Sequence, residues 1–259
     1  YVDNILVSSG SNDIGFYATF TTNTPCETSE NLIDLQNHIN GIATLTQPQL
    51  LSIRDVFQVQ PICLRDQENI LLAKSVIEDY DSQVGPLFST PNTVNGFSKD
   101  PVAAPGLGLQ RAMVALQQAV LDAIMTPEIY AAYPEHIDGW VFNSSYTFPG
   151  YVDPPTNPSV NNSVLIRANF ADPDGSNPYF DINADGTNHA LRPTGLYLAP
   201  GSIATVTVPN SLVGQDYYIR VGSHEWDLGI RGNFYRLDRI TKKFPINNNT
   251  IEVFNPFGG

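Results

Sequence analysis

The sequence predicts a multidomain α and β protein, a small helical bundle followed by an antiparallel β-sandwich. Between residues 28 and 133 apolar residues recur at helical spacing, and after Ser163 they alternate in short runs bounded by Gly, Pro and Asn. The charge divides along the same line. Residues 1–160 carry 17 Asp/Glu against 5 Lys/Arg (5 − 17 = −12), and residues 161–259 carry 9 against 8 (8 − 9 = −1), together the net −13 of the chain. The expected organisation is a lead-in or tail of a preceding domain over 1–27, a helical module over 28–133, an aromatic, Pro-rich connector over 134–160, and the sandwich over 161–259.

Residues 1–25 alternate loosely (Ile5, Val7, then Ile14, Phe16, Ala18, Phe20) and read as one or two short strands. From Ser29 the period changes. Ser29 can cap a helix whose Leu32, Ile33, Leu35 and Ile39 share a face, ending near Asn40-Gly41. Thr46 caps a second, with Pro48 in its first turn. A third and longer helix is expected from Pro61 to Tyr80 on the spacing of Ile62, Ile70, Leu71, Ala73, Val76 and Ile77. Residues 82–107 are a long loop. Leu107–Met125 is the strongest helical segment, with a stripe of Leu109, Met113, Leu116, Val120 and Ile124, and a short turn at Pro127–Tyr133 closes the region. The connector holds Trp140, Phe142, Tyr146, Phe148 and Tyr151 among five prolines. Such aromatics either pack at a boundary or form a platform for stacking sugars. The strands expected after it are VLIRANF, ATVTV, YYIRV and TIEVF, spaced as in a β-sandwich.

The composition excludes some partners. A net charge of −13 argues against a nucleic-acid partner, which would need a basic face. No apolar run reaches the roughly 18–20 residues of a membrane span. The chain opens at Tyr1 with neither Met nor a signal-like segment, which reads as a processed or excised piece. Its acidic, Lys-poor, Asn/Thr/Gly-rich character leans toward a secreted or cell-surface setting, where Cys26 and Cys63 would pair; two buried thiols are the other reading.

The candidate chemistry concentrates in Gly222-Ser-His-Glu-Trp-Asp-Leu228. His224-Glu225 opens a zinc-protease HExxH, but the second histidine position is Leu228, so the motif fails and no catalytic residue is assigned. The same loop offers the Trp226 indole for stacking on a sugar face, with His224 beside it and the Glu225 and Asp227 carboxylates to accept hydroxyl hydrogen bonds. Its other reading is structural: Trp226 plugs the sandwich edge or seats a neighbouring domain, and His224 bonds locally. Asp181, Asn183 and Asp185 match the first half of a calcium loop; Arg192 stands where its bidentate Glu belongs, so calcium and an Asx-rich turn both stay open. Sequons occur at Asn143, Asn161 and Asn248.

At 192–259 the chain resembles a known group. Pro193-Thr-Gly-Leu-Tyr-Leu-Ala-Pro-Gly201, the ATVTVP strand, Arg220-Val-Gly-Ser-His224 with Leu228, Arg239-Ile-Thr-Lys-Lys-Phe244 and Phe254-Asn-Pro-Phe-Gly-Gly259 occur in the order seen in enhancin-like zinc metallopeptidases, metallopeptidase family sixty. There they form the non-catalytic β domain before the protease domain, and a helical module precedes it in some bacterial members. The resemblance implies a secreted bacterial parent that degrades mucins and other glycoproteins, with zinc held in a C-terminal catalytic domain absent from this chain. The present residues would then be accessory, positioning the glycoprotein or glycan substrate or the catalytic domain. The alternative is a stand-alone extracellular module that binds carbohydrate, adheres or builds a surface. A hydrolase acting through an unrecognised site is a third and remoter reading.

Overall fold

A computed structural model describes residues 26, 28–88, 96–157, 161–166, 180–182, 188–224 and 226–259. The expected strands in 1–25 lie outside these residues, as does most of VLIRANF, of which 164–166 has no strand pairing.

Helix α1 (Thr28–Ile39) packs on α3 (Gln67–Gln83), and α2 (Gln47–Val59) packs on α4 (Gly108–Ala119). Their starts follow local chemistry. Gln49 Oε1 takes the Thr46 N–H at 2.9 Å and the Thr46 hydroxyl at 2.7 Å, which seats the first turn of α2 around Pro48. The helix expected from Pro61 is split. A 3₁₀ turn spans Pro61–Leu64, and α3 begins only after Asp66, whose Oδ1 accepts the Asn69 N–H at 2.9 Å. An N-cap side chain needs an extended backbone, so Asp66 ends one element and opens the next. Cys26 and Cys63 are joined by a disulfide, which ties the start of α1 to that 3₁₀ turn.

The end of the strongest helix widens. Val120–Ile124 forms a π turn after α4, and the ammonium of half-buried Lys242 donates to Leu121 O at 2.7 Å. Burial pulls the Lys242 amine down to about 8. Two short helices follow, α5 (Pro127–Ala132) and α6 (Pro134–Ile137).

Eight short strands pair in four antiparallel ladders among the described residues. They are β1 (Phe97–Ser98) with β6 (Asn233–Phe234), β2 (Phe180–Ile182) with β3 (Asn188–Ala190), β4 (Ile203–Thr207) with β8 (Thr250–Phe254), and β5 (Tyr218–Val221) with β7 (Lys242–Pro245). The fold is therefore mixed α and β with antiparallel pairing. Each ladder is only two-stranded, short of the facing sheets a sandwich requires.

Helices and strands are packed on one another. One hydrophobic core runs from Leu32 and Phe57 through Leu116 and Phe142 to Phe244, Phe254 and Phe257. Aromatic pairs stitch it: Phe97 lies 5.8 Å from Phe88 and 5.3 Å from Phe234, and Tyr130 lies 5.2 Å from Phe254. In the connector, Trp140 and Phe142 are buried, while Tyr146 is exposed and stacked on Tyr151 at 4.4 Å. The β1–β6 pair brings the long loop before α4 against the β region. Arg111, almost fully buried in α4, holds that loop by donating to the carbonyls of Ser98, Asp100 and Ala104.

The last five residues form a buried knot. Asn255 is 1% exposed; its amide donates to Ile240 O at 2.9 Å and Val221 O at 3.2 Å, and its Oδ1 accepts the Phe257 N–H at 3.0 Å. Gly258 has φ +68°, and a Cβ there would lie 2.6 Å from Leu198 O, so both backbone and space call for glycine.

Candidate functional site

The loop after β5 is built on cations that reach in from two sides. Arg236 is buried, and its guanidinium donates to the carbonyls of Trp226 (2.8 Å), Leu237 (2.6 Å) and Asp238 (3.0 Å). A guanidinium has five donors in a rigid fork, so one side chain can pin both limbs of a turn. Lys99, from beyond β1, donates to Leu228 O at 2.8 Å and pairs with Asp238 at 2.7 Å, its ammonium 4.7 Å above the Phe234 ring. Arg239 bridges Asp122 of the π turn (2.6 Å) to Asp227 (3.3 Å), and its backbone N–H is taken by Gln118 at 3.0 Å.

The residues singled out from the sequence take different places on this frame. The His224 ring packs on Phe148 at 4.6 Å; burial first, and then the Arg236 charge, lower its pKa and keep it neutral at pH 7. Trp226 is 77% exposed: its carbonyl is bonded to Arg236 while the indole faces solvent. Asp227 is exposed but bonded into the loop. Oδ1 accepts the Gly229 N–H at 2.7 Å, capping a 3₁₀ turn over Leu228–Ile230, and Oδ2 meets Arg239. Partial burial pushes its pKa up, but the Gly229 N–H and the Arg239 charge outweigh that and hold it below the usual carboxylate range. Glu225 lies outside the described residues. So do Asn183 and Asp185; the Asp181 backbone sits in β2 opposite His189. Among the described residues no group of three or more His, Cys, Asp or Glu could hold a metal.

Beside the loop lies an open groove of about 610 Å³ lined by Leu228, Arg231, Gly232, Asn233 and Tyr235. Sequence reasoning missed Arg231, Asn233, Tyr235 and Arg236. A signal was present: five of the chain's 13 cationic residues fall between 231 and 243, in an otherwise acidic protein.

The fold carries a second hollow, about 340 Å³, between one face of α3 (Lys74, Glu78, Asp81) and the 139–143 segment. Asp81 Oδ1 is buried there without a hydrogen-bond partner, and burial, then the Glu78 charge, raises its pKa to about 6. A carboxyl whose folded pKa exceeds its unfolded value costs stability as pH rises from about 4 to 6. Asp81→Asn is therefore expected to stabilise the protein at pH 7 by about 1 kcal/mol, a figure discounted for the partial exposure of the group. The gain should vanish below pH 4; urea unfolding at pH 4 and pH 7 checks it.

The family match falls on the stretch that carries the loop. Residues 172–259 match the N-terminal domain of M60-like peptidases. The resemblance read from the motifs thus holds, and the M60-like segment contains the loop, its groove and the Asn255 knot. Two curated relatives are also similar to part of the chain. A protein described as a TRPM8 channel-associated factor homolog from Xenopus laevis is 33% identical over 85 residues, 32% of this chain and 9% of the relative. One of the same description from Danio rerio is 30% identical over 66 residues, 26% of this chain and 7% of the relative. The chain thus spans less than a tenth of the length of these relatives. No solved structure matches it. Among the described residues, no helix is long and apolar enough to cross a membrane.

Proposed function

We propose that this chain is a non-catalytic accessory region of an M60-like peptidase that acts on glycoproteins outside the cell, and that its Trp226 loop meets the glycan. The match over 172–259 carries the assignment to that class of protein. The loop's own geometry supports the second part. An exposed indole normally loses side-chain entropy and gains little on a free surface, yet here three cations rigidify the loop that presents it. A rigid aromatic face in water is suited to the C–H face of a sugar ring. Cleavage belongs to a zinc-dependent catalytic domain elsewhere in the whole protein, and the accessory region sets where the substrate lies.

Trp226→Ala is expected to weaken binding to a mucin-type glycoprotein at least about tenfold, the loss of one stacking contact worth about 1.4 kcal/mol. The melting temperature should stay within about a degree, because the ring makes no core contact. Calorimetric titration with paired thermal melts measures both. Equal affinity of mutant and wild type would sink the glycan reading.

The relatives described as channel-associated factor homologs favour a second reading, a module that associates with another protein. Whether the full-length protein cleaves casein or mucin, and loses that activity to a chelator, separates the two.

A further inference from the structure

We propose that the groove beside the Trp226 loop binds the acidic group of an anionic saccharide, a carboxylate or a sulfate, through Arg231. The inference rests on the glycan reading above and adds the class of glycan.

The argument starts from the accounting of charge around the loop. Lys99 is paired with Asp238, and Arg239 with Asp122 and Asp227. Arg236 spends its donors on three backbone carbonyls. Arg231 differs: it is exposed, it lines the groove, and no side-chain partner engages it among the described residues. Both Asp227 and Asp238 are already committed to other cations. Among the described residues, the groove is thus an open hollow whose one charged lining group is the Arg231 guanidinium, inside a chain of net charge −13.

The rest of the lining suits a sugar bearing that acid. Asn233 brings an amide that can both donate to and accept from hydroxyls, and Tyr235 brings a half-exposed ring. A planar guanidinium meets a carboxylate or sulfate with two parallel N–H···O bonds, which fixes the orientation of the group. The overall negative field of the chain would repel a free anion, so the acid binds when its saccharide also contacts the aromatic faces.

The test uses lactose, 3′-sialyllactose and 3′-sulfated lactose, titrated into the full chain by ligand-observed NMR. Wild type is expected to bind at least one charged sugar about tenfold more tightly than lactose, as a bidentate charge-assisted pair provides. The carboxylate and sulfate arms show which acid is preferred. Arg231→Ala should erase the preference while leaving lactose binding unchanged, and Arg231→Lys should keep only part of it. Equal affinity for neutral and charged sugars, lost on Trp226→Ala, would overturn the Arg231 proposal and leave the glycan reading standing. Preference retained in Arg231→Ala would overturn it too. Failure of all three sugars to bind wild type would overturn the glycan reading itself, and this inference with it.

Discussion

Replacing Asn255 with alanine is expected to lower the unfolding free energy by about 3–5 kcal/mol. The side chain satisfies three buried backbone groups at once: the carbonyls of Val221 and Ile240 and the N–H of Phe257. Removing it gains nothing from the lost amide, and each backbone group left unsatisfied costs about 1–3 kcal/mol. The site is closed by Phe257, 1% exposed and 5.4 Å from the Phe142 ring, so entering water would have to displace packed aromatic surface. Urea unfolding measures the loss, with an unchanged m-value as the sign that the native state is otherwise intact. A loss below about 1 kcal/mol would mean that the three groups find other partners. Asn255→Asp separates shape from chemistry. It keeps the acceptor for Phe257 but sets a carboxylate against two carbonyls, and should be no better than alanine at pH 7.

Cys63→Ser is expected to cost about 3–4 kcal/mol. The Cys26–Cys63 bond closes a loop with a sequence separation of 37, and the constraint it places on the unfolded chain grows with the logarithm of that length. Three features make the effect simple to read. Cys26→Ser should cost the same, the double substitution no more than either single one, and dithiothreitol should shift wild type to the mutants' melting temperature. Additive losses in the double substitution would show that the thiols act through packing instead of through the bond. In the folded protein the bond fixes where α1 starts relative to the 3₁₀ turn at Pro61, so fraying of α1 should accompany its loss, seen as faster amide exchange over Thr28–Leu32.

Much of the helical half was legible because the signals there are local. Thr46 with Gln49 and Pro48, and the apolar spacing of Leu32–Leu35 and Met113–Leu116, act within one or two turns. The strands ATVTV, YYIRV and TIEVF were legible for the same reason and lie in β4, β5 and β8. The misreading at Pro61 came from giving periodicity more weight than Asp66, a cap in the middle of a continuous apolar pattern. Of the loop, the sequence marked Trp226 and Asp227 as notable but gave them similar parts. Asp227 is bound to Gly229 and Arg239 while the indole is exposed, and only the fold distinguishes them.

The amino-acid order by itself determined the helical segments from 28 to 133, several strands after 200, the absence of an HExxH, and the M60-like character of the C-terminal stretch. The tertiary structure decided the rest. It set β1 against β6, converted the end of α4 into a π turn with Lys242 on its carbonyl, and gathered Lys99, Arg236 and Arg239 around one loop. The reason is that periodicity records which face of an element is buried and not what buries it. Lys99 and Asp238 are 139 residues apart in sequence and 2.7 Å apart in space, and no local pattern encodes that meeting.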